Sequence, residues 1–175
     1  ATLFSPFTPQ IFAQSAAGNN ETILLVEDNE LVRNVGQKIL TRAGYQVIEA
    51  CDGVEALQLF DQQRSRIALV VLDLNMPNKS GRETLAGLRS ATDDLPILLS
   101  SGYSPNFSQQ DMKKFGVDGF LQKPYMPGEF LAMVRRAIDG RKFASNGDKK
   151  LAPPLMMSNE VLSLPPAAAP PGRAA

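Results

Sequence analysis

Ile67-Ala68-Leu69-Val70-Val71-Leu72-Asp73-Leu74-Asn75-Met76-Pro77, with Asn78-Lys79-Ser80-Gly81 behind it, is the stretch that decides the fold. An unbroken Ile/Leu/Val run, with no polar residue alternating in, suits a strand buried on both faces, as in a parallel sheet. Pro77 and Gly81 stop that strand and turn the chain into a loop. Asp73 therefore belongs at the carboxyl end of a central strand, where open α/β sheets place their ligands. The plain alternative is a strand-ending Asp that only caps a turn, since Asp is common in turns. This stretch alone does not separate the two.

Working outward, Thr22-Ile23-Leu24-Leu25-Val26 is a second buried-strand run, ending in Glu27-Asp28. Leu31, Val32, Val35, Ile39 and Leu40 then recur at helical spacing, and Gly44 closes the helix. Tyr45 to Ala50 reads as a short strand. After Asp52-Gly53, the residues Val54, Ala56, Leu57, Leu59 and Phe60 fit one helix face. Beyond the Asp73 strand, Arg82 to about Ser90 is a helix with Leu85 and Leu88 inward. Pro96 to Ser101 is a fourth strand, Pro105 to Phe115 a weaker helix, Val117 to Gln122 a fifth strand, and Gly128 to Arg141 a last helix. Strand and helix alternate five times, which argues a parallel sheet between helix layers. Right-handed crossovers then favour an α/β, flavodoxin-like fold, five strands in order 2-1-3-4-5 with five helices on both faces.

The expected domain runs over residues 22–142. Residues 1–21 carry no period, no basic leader and no long apolar segment, so they read as linker or disordered. Residues 143–175 form a Pro/Ala-rich tail, also expected to be disordered; its Leu155-Met156-Met157 and Val161-Leu162 could dock transiently on a partner, though a passive linker is the favoured reading. No second globular segment is expected after residue 142, so no output domain is expected either. Nothing approaches the ~20 apolar residues of a membrane span. With 43% hydrophobic and 21% charged residues, the composition is globular. A formal net charge of zero without a long basic run argues against direct binding of nucleic acid or membrane. The single Cys51 excludes an internal disulfide and suits a reducing, cytoplasmic compartment. There is no histidine, which excludes Ser-His or Cys-His catalysis, His metal ligation and phosphohistidine on this chain.

Superposing the strand ends brings the chemistry together. Strand one ends in Glu27 and Asp28, strand three in Asp73, strand four in Ser101 and strand five in Lys123. Three carboxylates held close repel one another and call for a proton or a cation between them. An all-oxygen cluster with an open face suits Mg²⁺, which keeps waters and bridges to phosphate oxygens. Lys123 and the Ser101 hydroxyl can meet an anion with tetrahedral oxygens. Each feature alone is ordinary, since a strand-end lysine is usually just solvated; in this order, on alternating elements, they form a pattern.

That pattern resembles the receiver domain of two-component response regulators, over roughly residues 22–142. Glu27-Asp28, Asp73-Leu-Asn-Met-Pro with Gly81, Ser101-Gly102 and Lys123-Pro124 carry the resemblance. It implies that Asp73 is the phosphoacceptor and that Glu27, Asp28, Asp73 and the Asn75 backbone carbonyl hold Mg²⁺, with Mn²⁺ able to stand in. It implies too that Lys123 pairs with the phosphoryl group, that Lys123-Pro124 is a cis bond, that Ser101 hydrogen-bonds a phosphoryl oxygen, and that Phe120 is the switch aromatic. The implied partners are a sensor histidine kinase or a histidine phosphotransfer protein. Exposed residues of the first helix, such as Arg33, Asn34 and Lys38, are the docking residues we expect for the kinase. The Leu-Ser-Ser-Gly-Tyr-Ser of strand four is similar to receivers of hybrid sensor kinases; a stand-alone regulator stays open, as does the oligomeric state.

Glu27, Ser101 and Phe120 depart from the commoner Asp, Thr and Tyr of the family. The first keeps a carboxylate at a position that in the family often reaches the metal through water, the second keeps a hydroxyl, and the third lacks a phenolic hydrogen bond. The implied role is that of a phosphoacceptor switch, not a turnover enzyme. Two other classes compete. A pseudo-receiver would bind partners without phosphorylation, although the acceptor-site residues are all present. A haloacid-dehalogenase-type phosphatase would need a second Asp two residues after the nucleophile, and that position is Asn75.

Overall fold

The computed structural model describes residues 17–76, 80–102, 109–145 and 155–156. Expectations placed on residues 1–16, Pro77, Tyr103, Pro105, Met157, Val161 and Leu162 lie outside the described residues. The strands are β1 (Thr22–Val26), β2 (Gln46–Ala50), β3 (Ile67–Asp73), β4 (Ile97–Ser101), β5 (Gly119–Gln122) and β6 (Leu155–Met156). The helices are α1 (Glu30–Arg42), α2 (Gly53–Gln63), α3 (Gly81–Ala91), α4 (Gln109–Phe115) and α5 (Pro127–Ser145). All pairings are parallel, in the order β2-β1-β3-β4-β5-β6. The doubly wound 2-1-3-4-5 sheet is therefore present, extended by one short strand.

β1 and β4 are buried along their whole length, as an apolar strand covered on both faces must be. On one face Leu24, Val70, Leu72 and Leu99 pack with Ala56 and Phe60 of α2, Leu85 and Leu88 of α3 and Met112 of α4. On the other, Ile23, Leu25, Leu69, Val71 and Leu98 pack with Leu40 of α1 and Phe130, Val134 and Ile138 of α5. Register then sets the functional edge. Val26 pairs Leu72, Asp73 pairs Ser100 and Ser101 pairs Gln122, which brings Glu27, Asp73, Ser101 and Lys123 to one end of the sheet.

Local chemistry starts three of the helices near that edge. The Asn29 side chain caps α1, and the Asp52 side chain caps α2. Ser80 and Glu83 form a capping box on α3. Gly44, at φ +92°, lets the chain leave α1 toward β2. Gly81 is required for a different reason: a Cβ there would lie 2.3 Å from the Asp73 carbonyl oxygen and 2.6 Å from the Leu74 Cα. Because the intruded atoms are backbone, Gly81→Ala should cost about 1–3 kcal/mol in urea unfolding. Unchanged stability would show that this approach is not tight.

The helix faces differ from the sequence expectation at three residues. Leu31 and Val35 are 77% and 56% exposed, and the inward positions of α1 are Gly36 and Leu40. Val54 is 49% exposed while Ala56 and Phe60 are buried. Apolar identity at helical spacing thus overstated the buried stripe, because Gly36 lets α1 approach Leu25 and Phe130 closely. Residues 18–21, read as linker, are tied to the domain: the Gly18 and Asn20 amides donate to the Ala43 and Gly44 carbonyls, and Arg135 Nη1 donates to Glu21 Oε1 at 2.9 Å. β6 lies in the tail expected to be disordered and covers the edge of β5, an edge that would otherwise leave backbone groups open. Two residues have no period to read, so sequence pattern had no means of finding it.

Candidate functional site at the carboxyl edge of the sheet

Glu27 and Asp73 are buried, at 4% and 3% exposure, and Asp28 is half-buried beside them. Carboxylate oxygens of the three lie within 4.8 Å of one another. Each stands there because an apolar strand ends at that point: β1 delivers Glu27 and Asp28, and β3 delivers Asp73. From β5, Lys123 Nζ donates to Glu27 Oε2 at 2.5 Å and to Asp73 Oδ2 at 2.9 Å. One ammonium therefore bridges two buried carboxylates. The Lys123-Pro124 bond is cis.

The electrostatics follow from this crowding. Burial pushes the Glu27 carboxyl above its ordinary value, and the Asp73 charge adds to the push, against the pull of Lys123. Burial alone would lower the Lys123 ammonium, but its bonds to Glu27 and Asp73 outweigh that and hold it above its ordinary value. Lysine thus stays cationic at neutral pH, and the carboxylates remain short of positive charge. Burial also raises the nearby Tyr125 phenol.

The loop after β3 is fixed by Asp73 itself. The Asn75 N–H donates to Asp73 Oδ1 at 3.1 Å, an Asx-type turn. The Asn75 side chain donates from Nδ2 to Ser101 Oγ at 2.9 Å, joining the ends of β3 and β4. Ser101 is 1% exposed. Phe120 lies buried in the α2–α3–α4 side of the core, in the cluster that holds Leu99, Met112 and Val117. The structure thus gathers Glu27, Asp28, Asp73 and Lys123 directly, Ser101 through Asn75, and sets Phe120 in the core on β5, three residues before Lys123.

The donor set fits a hard divalent cation. Three carboxylates on one side, with a partly open Asp28, are what an oxygen-ligated ion that keeps waters needs. Asn75, whose backbone carbonyl is expected to join them, is exposed in the same loop. Sequence spacing did not reveal the Asn75–Ser101 contact or the Glu27–Lys123 pair, because both join residues far apart in the chain. It also misplaced Arg33: the guanidinium, expected to face a partner, donates from Nη1 to the Glu27 carbonyl at 2.8 Å and lies 3.4 Å from Glu49.

A family model for the response regulator receiver domain matches residues 23–135. The chain belongs to this family. Relatives carry the same segment: the response regulator MprA of Mycobacterium ulcerans is 35% identical over 82% of this chain and 60% of its own length. The sensor kinase CckA of Brucella abortus is 33% identical over 67% of this chain and 12% of its own. The chain therefore spans between an eighth and three fifths of these relatives. Among solved structures, a receiver domain protein from Clostridium thermocellum superposes with a TM-score of 0.66 at 22% identity, over 71% of this chain and 98% of that one. The response regulator TrrA of Thermotoga maritima, in complex with Mg²⁺ and BeF, gives 0.60 at 29% identity, over 67% and 98%. The receiver domain is thus that of two-component signalling, with an acidic cluster compatible with Mg²⁺. Among the described residues no helix is long and apolar enough to cross a membrane.

Proposed function

We propose that Asp73 accepts a phosphoryl group from a phosphohistidine on a sensor histidine kinase or a histidine phosphotransfer protein, in a step that needs Mg²⁺. The observation that carries this is the Lys123 ammonium bridging Asp73 and Glu27. It sets the buried Asp73 carboxylate beside a cation that can turn toward an incoming anion. A carboxylate oxygen of Asp73 attacks phosphorus, the P–N bond of the phosphoimidazole breaks, and its electron pair returns to the ring nitrogen. The product is an acyl phosphate. Lys123 exchanges its carboxylate partners for a phosphoryl oxygen, and Ser101, whose Oγ accepts from Asn75 Nδ2, donates its O–H to another. Glu27, Asp28, Asp73 and the Asn75 carbonyl would hold Mg²⁺, which supplies charge neutralisation at the transferring oxygens. Mn²⁺ suits the same oxygen set.

The new charge and acceptor oxygens at this edge then bias the loop after β4 and the space around Phe120. Moving a two-state equilibrium from 1:99 to 99:1 takes about 5.5 kcal/mol, and a few charge-assisted hydrogen bonds of roughly 1.5–3 kcal/mol each are enough. The chain works as a switch, not as a turnover phosphatase, since Asn75 stands where such an enzyme keeps a general acid. The similarity to a CckA receiver supports a place in a hybrid kinase.

The test is intact mass after acetyl phosphate and Mg²⁺, beside a chelated control and Asp73→Asn. One phosphoryl adduct that needs both the metal and Asp73 is expected. No adduct, with no spectral change on beryllofluoride titration, would put the pseudo-receiver in its place.

For the partner, exposed Leu31 and Val35 sit one turn apart on α1, and exposed Met126 follows Lys123-Pro124. α1 and α5 leave this edge over the same sheet face, so these residues flank the acceptor. Leu31→Glu with Val35→Glu should slow transfer from the cognate kinase at least tenfold, about 1.4 kcal/mol, and spare acetyl phosphate. Lys38→Glu and Asn34→Asp, exposed on the same helix, should act less. Equal slowing with both donors would sink this docking face.

A further inference from the structure

The geometry assigns Arg33 as the positioning residue of the metal-binding loop, held in place by Glu49; this rests on the Mg²⁺ reading above. Arg33 lies one turn into α1, and helical side chains lean toward the N-terminus. Its guanidinium therefore reaches back over the loop that carries Glu27 and Asp28. Nη1 donates to the Glu27 carbonyl at 2.8 Å and, more weakly, toward the Asp28 carbonyl at 3.4 Å. Nε lies 3.4 Å from Glu49 Oε2 on β2, and the Arg33 side chain is only 16% exposed. Three elements, β1, α1 and β2, are thereby tied through one rigid fork at the two residues that present carboxylates to the ion.

The rest of this loop is held from other sides. Asn29 Oδ1 takes the Leu31 and Val32 amides, and the Glu27 N–H donates to the Ala50 carbonyl. The carbonyls of Glu27 and Asp28 are what Arg33 fixes, and turning either peptide would swing its carboxylate. A planar guanidinium with donors in fixed geometry can do this; an ammonium is a point charge without the fork.

The charge and the fork have opposite expected effects on a cation. A positive group beside the cluster repels Mg²⁺, so a residue acting by charge alone would, when removed, tighten binding. A residue acting by position would, when removed, weaken it; loss of a group that orients metal ligands commonly lowers affinity about 10–100-fold. Substitution therefore separates the two by sign.

The experiment is calorimetric titration of the full chain with MgCl₂, without any phosphoryl donor, for wild type, Arg33→Met, Arg33→Lys and Glu49→Gln, each checked for an intact urea transition. Arg33→Met and Arg33→Lys are expected to bind Mg²⁺ about tenfold more weakly, and Glu49→Gln severalfold more weakly. With acetyl phosphate, the Mg²⁺ concentration at half-maximal rate should rise while the rate at saturating Mg²⁺ is kept. Tighter binding in Arg33→Met, or wild-type binding in Arg33→Lys, overturns the assignment. So does a lowered saturating rate at unchanged affinity, and so does loss of folding in Arg33→Met with wild-type Mg²⁺ binding in Glu49→Gln. Wild-type protein that binds Mg²⁺ but never takes a phosphoryl group would refute the phosphoacceptor reading and leave this one standing.

Discussion

Lys123→Met should slow phosphorylation by acetyl phosphate about 10²–10³-fold, the usual effect of removing one donor from the developing anion, while tightening Mg²⁺ binding. The two effects diverge because Lys123 has two roles. In the resting site its ammonium neutralises Glu27 and Asp73 at 2.5 and 2.9 Å. In the proposed transfer it would be the group that follows the phosphoryl oxygens. Without it, two buried carboxylates face each other with no cation, so an added divalent ion gains more than before. The same substitution should cost about 1–3 kcal/mol of stability at neutral pH, less than the ~3–5 kcal/mol of a fully buried pair because lysine is partly solvated.

The pH dependence of that deficit has a definite sign. Burial already holds the Glu27 carboxyl above its ordinary 4.5 with Lys123 present, and losing the lysine raises it further. A carboxyl raised in the folded state binds its proton more tightly there, so the folded state loses ground as pH climbs through that raised value. The deficit should be largest at neutral pH, shrink as pH falls through the variant's raised Glu27 value, and vanish once the folded wild-type carboxyl is protonated as well. Urea titrations at several pH values, with and without Mg²⁺, read both terms. A variant phosphorylated at the wild-type rate would remove Lys123 from the phosphoryl group. A deficit that stays constant with pH would remove its pairing with the carboxylates.

The order in which the chain could be read has a physical basis. Strands β1 and β3 are almost wholly apolar runs because both faces are covered, and that pattern survives in one dimension. The site residues were legible for the same reason: each ends a strand or immediately follows one, so placing the strands places Glu27, Asp73, Ser101 and Lys123. What stayed hidden depends on contacts between distant segments. Arg33 looks like any exposed helical cation until the Glu27 carbonyl and Glu49 are placed beside it. Glu21 looks like linker until Arg135, 8% exposed, reaches it from α5 while also holding Asp139. The outward turn of Leu31 and Val35 follows from Gly36, whose missing side chain lets α1 sit close to Leu25 and Phe130. A glycine counts as a gap in a hydrophobic pattern, yet here it marks the inward face.

That last point can be measured by pairing two apolar deletions. Phe130, fully buried in the first turn of α5, packs its ring 5.0 Å from that of Tyr125 and faces Gly36 of α1. Phe130→Ala should cost about 3–5 kcal/mol, seen in thermal melts as a fall of roughly 10–15 °C for a domain of this size. Much of that is the cavity left between α1 and α5, which backbone relaxation fills only in part. Leu31→Ala, by contrast, should change stability by less than about 0.5 kcal/mol, because its side chain already faces water. The consequences for function should run the other way. Phe130→Ala protein that is still folded should take phosphate from acetyl phosphate at a modestly reduced rate, through the Tyr125 segment next to Lys123. Leu31→Ala should leave that reaction untouched and weaken only transfer from a protein donor. Similar losses of stability for the two variants would mean that α1 is rotated from the orientation described, with Leu31 inside. The docking face built on Leu31 and Val35 would then fall with it.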